Sequence, residues 1–124
     1  MAVLLVGIGG FIGANSRYLL GGAVHQITGS ASFPYGTVVA NVLGCLVIGI
    51  LGGLSDSRQV FGPEARAFLF IGILGGFTTF STFGYETINL LRDGRFVSAV
   101  LNVSIQLIFG LPAVFAGYTA TKAL

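Results

Sequence analysis

The sequence predicts an all-α membrane protein with four transmembrane helices per subunit, the third of them broken, and three observations carry that prediction. Of the 124 residues, 54% are hydrophobic and only 8% are charged, with a mean hydropathy of +0.93. A soluble domain needs about a quarter charged residues to cover its surface, so the solvent of this chain is lipid. The few charges leave apolar stretches over approximately 2–24, 35–54, 67–91 and 96–121, each near the roughly 20 residues that cross a hydrocarbon core as a helix. Finally, a glycine pair followed by hydroxyl and phenylalanine residues interrupts the third stretch.

The first stretch has no Lys or Arg ahead of its apolar run, and Gly7, Gly9, Gly10 and Gly13 punctuate that run. It therefore reads as a membrane helix rather than a secretory signal. The second opens after Pro34, Tyr35, Gly36 and Thr37 and carries Asn41 and the single cysteine, Cys45. One thiol excludes an intrachain disulfide and a thiolate metal site. The third holds the interruption, and the fourth carries Asn102, Ser104 and Gln106 before Pro112, which is expected to kink it. No stretch alternates with the period of a barrel strand. The connections 25–34, 55–66 and 92–95 are short, so 1–124 reads as a single domain without linker or tail.

Four spans put both termini and the second connection on one side, with Arg58, Arg66 and Lys122. Arg92 and Arg95 lie on the other, where Arg17 is expected to snorkel. Three positive charges face three, so the positive-inside rule gives no preferred orientation. Either the chain inserts both ways, forming a dimer with its two-fold axis in the membrane plane, or the balance is a small-number coincidence. Six basic residues scattered over the loops make no patch for nucleic acid. Small residues four apart, as at Gly9 and Gly13 or Ala40 and Gly44, favour close helix packing.

The segment from Gly72 to Gly84 is the most informative. Gly75 and Gly76 followed by Thr78, Thr79, Ser81 and Thr82 are poor material for a continuous lipid-facing helix. A break there would free backbone carbonyls at Gly75 and Thr78 suited to a hard cation, and would offer hydroxyls of Thr79, Ser81 and Thr82 to an anion. Phe80 and Phe83 share a helix face, either as ordinary packing or with their positive ring edges toward an anion. Asn41 either donates to an anion or makes an interhelical hydrogen bond. Arg17 either gathers anions at a vestibule or reaches lipid phosphate. Glu86 either pairs with a base or caps a helix, and no acid sits at a midplane to serve a proton-coupled pump. No His, Cys or acid pair is available for a nucleophile, so the chain does not read as an enzyme.

Gly9-Gly10-x-x-Gly13-Ala14-x-x-Arg17-Tyr18, Pro34-x-Gly36-Thr37 running to Asn41 and Gly44, and Gly75-Gly76-x-Thr78-Thr79-Phe80-Ser81-Thr82-Phe83 together resemble the Fluc (CrcB) fluoride channel family. The resemblance covers nearly the whole chain in order. It implies an antiparallel dual-topology homodimer in the plasma membrane, with two fluoride pathways and one central sodium ion. By the same resemblance Phe80 and Phe83 are the pore phenylalanines, Asn41 the pore amide, and Ser81 and Thr82 the flanking hydroxyls. Main-chain carbonyls of Gly75 and Thr78 hold the sodium, and Arg17 matches the family's first-helix arginine. The fourth helix departs from the family, with Phe109-Gly110-Leu111-Pro112-Ala113-Val114 where a track of Ser and Thr is usual. The implied function is passive export of cytoplasmic fluoride, giving fluoride resistance. The alternative is a small multidrug-resistance-type antiporter, also tiny and four-spanning, but such proteins use a first-helix glutamate that is missing here.

Dual insertion is testable with one reporter cysteine in the Arg92–Arg95 turn and Cys45 replaced. Labelling from both membrane faces is expected, and labelling from one face alone would exclude it.

Overall fold

The computed structural model describes all residues, 1–124. Four helical paths cross the fold: α1 (Ala2–Thr28), α2 (Tyr35–Arg58), a composite third path, and α6 (Phe96–Lys122). The third path runs through α3 (Pro63–Arg66), a π-helical stretch (Ala67–Leu74), α4 (Gly75–Phe77) and α5 (Phe80–Arg92). All four are long and apolar enough to cross a membrane. The chain is a multi-pass membrane protein.

The ends of these helices follow from local chemistry. Gly29 takes the left-handed conformation, φ 62°, and its N–H donates to the His25 carbonyl at 2.9 Å, stopping α1. Pro34 then precedes α2, and Gly94, φ 73°, turns the chain between α5 and α6. α6 runs unbroken through Pro112. Contacts between connections fix an up-down-up-down order. At one end the Arg95 guanidinium reaches the Ser32 carbonyl; at the other Tyr118 Oη donates to Asp56 Oδ2 at 2.9 Å and Arg66 Nη1 to Ser55 Oγ at 2.9 Å.

Large apolar side chains such as Phe11, Leu19, Ile108 and Phe115 point outward, and the only buried hydrophobic residues are Ala40, Leu74, Leu90 and Ala99. This inverts a soluble protein because lipid solvates apolar surface, so helices associate through fit rather than water exclusion. Two helix pairs show that fit. A methyl group at Gly9 would lie 2.6 Å from the Phe68 carbonyl oxygen, and one at Gly13 would strike the Ile73 carbonyl, so α1 rests backbone to backbone on the π-helical stretch. Likewise, Gly49 meets the Val114 carbonyl, while a methyl at Gly117 would sit 2.8 Å from Ile50 N, closing α2 on α6.

Gly13→Ala and Gly49→Ala should each lower stability by about 1–3 kcal/mol, the usual cost of overpacking. Gly7, with nothing within 4 Å of an added methyl, is the control; Gly7→Ala should be neutral or stabilising, because alanine is the better helix former. Unfolding by SDS titration in mixed micelles separates these outcomes, and equal destabilisation by all three would exclude the packing account.

Candidate functional site

The glycine pair does not itself break the third path, since Gly75–Phe77 stay helical. The break falls on the two threonines that follow, both extended: Thr78 at φ −91°, ψ 156° and Thr79 at φ −154°, ψ 123°. Thr78 Oγ1 donates back to the Leu74 carbonyl at 2.8 Å, closing the incoming helix. Thr79 caps the outgoing one, its Oγ1 accepting from Thr82 N–H at 3.2 Å. Gly44 of α2 makes room, because a methyl there would collide with Thr78 Cγ2.

Asn41 supplies what the break removes. Its Nδ2 donates to the Thr79 carbonyl at 3.0 Å and its Oδ1 accepts from Thr79 N–H at 2.9 Å, so one carboxamide satisfies both backbone groups of that residue. Thr79 N–H and Thr82 N–H are thereby diverted to side chains, and the carbonyls of Gly75 and Thr78, four residues before them, lose their helical donors. Two backbone oxygens are left free at membrane depth.

The Asn41 amide also begins a directed chain. Nδ2 donates to Gln106 Oε1 at 2.8 Å, Gln106 Nε2 to Asn102 Oδ1 at 3.0 Å, and Asn102 Nδ2 to Thr87 Oγ1 at 2.9 Å. Asn102 is completely buried. Asn41 and Gln106 line a cavity of about 470 Å³ together with Gly75, Thr78, Thr79, Phe80 and Phe83. The two phenylalanine rings lie 5.4 Å apart and tilted by 49°, and Phe80 is 82% exposed.

Ser81 and Thr82 do not join that cavity. Their hydroxyls gather on Thr79 Oγ1 at 3.3 and 3.1 Å, at the start of α5. Arg17 lines a separate cavity of about 300 Å³ with His25, Thr37 and Glu86. It sits eleven residues before the end of α1, roughly 16 Å deep at 1.5 Å per residue, and its Nε is buried without a partner. Thr37 Oγ1 donates to Glu86 Oε1 at 2.8 Å, while Oε2 is left unpaired. Glu86 thus pairs with a hydroxyl and not with a base.

Six of the residues singled out from sequence therefore share one cavity: Asn41, Gly75, Thr78, Thr79, Phe80 and Phe83. Sequence reasoning gave no role to Gln106, Thr37 or Thr87. Asn102 and Gln106 are four apart in an apolar helix, a spacing that stacks two amides on one face, and this was the available signal.

Residues 4–118 match a family described as CrcB-like protein, Camphor Resistance (CrcB). The chain is 43% identical to a Geobacter sulfurreducens protein named fluoride-specific ion channel FluC, over 98% of both chains. It is 44% identical to fluoride-specific ion channel FluC 3 of Methanosarcina barkeri, over 94% of this chain and 87% of that one. A Methylobacillus flagellatus protein of the same name as the first is 41% identical over 97% of this chain and 94% of its own.

Proposed function

The chain belongs to the CrcB family, and from that premise we propose that it is a passive, fluoride-selective ion channel of a bacterial-type plasma membrane, exporting cytoplasmic fluoride. The observation that carries the reading is the convergence of neutral polar groups and two aromatic rings on one cavity at a helix break. Fluoride is small and strongly hydrated, so a pore must replace its water with contacts that hold it well enough to enter and loosely enough to leave. The Asn41 amide, the Thr79 hydroxyl and the ring edges of Phe80 and Phe83 on the cavity, with the hydroxyls of Ser81 and Thr82 beside it at the start of α5, are contacts of that strength. Arg17, in the other cavity, serves as the vestibule cation, drawing the anion in without holding it at the narrowest point.

Transport needs no fuel. Hydrogen fluoride enters cells as a neutral weak acid and dissociates in the less acidic interior, leaving the anion trapped. A path for the anion then drains it outward, driven by an inside-negative potential of about 2.3 kcal/mol per charge per 100 mV. The antiporter reading lacks its first-helix acid, and none of the relatives described above bears such a name.

One subunit is too small to enclose a pathway, and the cavity at Phe80 is open. The working unit in this proposal is an antiparallel homodimer, supported by the balanced loop charges. A two-fold axis through the break doubles the freed carbonyls of Gly75 and Thr78 to four neutral oxygens, a donor set that fits sodium. When bound, that ion supplies the positive charge that offsets uncompensated carbonyl dipoles in a dry interior.

Two experiments test the proposal. Purified protein in liposomes should release fluoride, followed with an ion electrode, and chloride far more slowly. Phe80→Ile, Phe83→Ile and Asn41→Asp should each slow release by about tenfold or more, since the loss of one electrostatic contact on the path is worth ~1.4 kcal/mol or more; wild-type rates in both Ile variants would make the rings ordinary packing. Separately, replacing sodium with N-methylglucamine should lower the dimer's melting temperature, and Gly75→Val should abolish that dependence. A dimer indifferent to the cation supplied would remove the sodium site.

A further inference from the structure

The donors on Asn41 can be counted. A carboxamide nitrogen carries two N–H groups; one goes to the Thr79 carbonyl and the other to Gln106 Oε1. The first belongs to a two-point grip on the helix break, since Thr79 N–H returns to Asn41 Oδ1. Releasing it would strand backbone groups at membrane depth. The second is held by the tip of a flexible side chain that lines the cavity with Phe80 and Phe83. Only this second N–H is exchangeable.

We propose that the Gln106 carboxamide is a placeholder ligand: its Oε1 occupies the seat at the Asn41 N–H that fluoride takes during permeation, which makes Gln106 a specificity-determining residue. The proposal rests on the channel reading and deepens it. A neutral carbonyl oxygen keeps a dry amide satisfied between ions, yet yields to an anion, because hydrogen bonds to ions are roughly twice as strong as neutral ones. The other polar atom of the same carboxamide stays tethered, Gln106 Nε2 donating to Asn102 Oδ1, so the group can swing about that bond without leaving its place. Asn102 is in turn completely buried and bonded to Thr87 Oγ1. The displaced oxygen therefore has a fixed pivot from which to return and help expel the ion. Chloride carries the same charge at lower density and gains less by evicting a carbonyl, so the exchange discriminates against it.

The test is the dependence of liposome efflux rate on fluoride concentration, measured for wild type, Gln106→Met and Gln106→Glu, with dimer recovery checked by gel filtration. Methionine keeps the bulk but offers no comparable acceptor, so Asn41 N–H waits unpaired and fluoride competes with nothing. The half-saturating concentration should fall about fivefold, the net worth of one neutral hydrogen bond, while the maximal rate also falls because expulsion slows. A glutamate oxygen is a stronger placeholder and should raise the half-saturating concentration by at least as much. If one variant does not assemble, the direction of the other decides. Reduced maximal rates with unshifted half-saturation, or shifts in one direction for both variants, would make Gln106 merely structural and overturn the placeholder while the channel reading stands. A wild-type protein that moves no fluoride would overturn both.

Discussion

A peptide group in hydrocarbon must find its hydrogen-bond partner within the protein, and at Thr78 and Thr79 the chain leaves the helix that would supply it. Everything else at the site depends on how that debt is met. Asn41 meets it for Thr79, pairing both of its backbone groups with one side chain. The carbonyls of Gly75 and Thr78 are left over, and both residues line the same cavity as the phenylalanines. The repair and the site are thus one construction: the residue that closes the gap in the backbone also lines the space beside it.

Glycine contacts bring the parts within reach. α2 and α6 approach closely because Gly49, Gly53 and Gly117 carry nothing between their backbones, and Cys45 sits against Gly110 at the level of the cavity. That closeness allows an α6 side chain to reach Asn41 at 2.8 Å. On the far side, α1 holds the π-helical stretch and α4 through Gly9, Gly13, Gly72 and Gly76. The break lies between these two closely packed pairs.

Much of the fold was legible, because hydropathy in lipid is read over whole spans. Charge-free length marked four crossings, and the hydroxyl cluster marked the interruption to within a few residues. Its position was not legible: the glycines at 75 and 76 have the poorest helix propensity, yet the break moved to the threonines. The reason is tertiary, since only there can Asn41 and Gly44 of α2 meet the extended backbone. Gly76 is kept helical by its fit against α1, where the Gly10 carbonyl lies 2.8 Å from a methyl placed on it. Of the site, the residues near the break could be read because they are neighbours in sequence. Gln106 could not, because nothing local distinguishes an amide that packs helices from one that touches the site.

In a single subunit Phe80 is exposed within a membrane-spanning path, so what it meets there is acyl chain wherever protein does not cover it. An open cavity of about 470 Å³ within the membrane-spanning paths is filled with hydrocarbon tails whenever protein does not fill it. Lipid is then a competing ligand for that face, and its binding enters the association equilibrium by mass action as any ligand would. In the dimer proposed above, tail length, branching and unsaturation become determinants of assembly, because they decide how well a tail fits the groove that the second subunit has to empty.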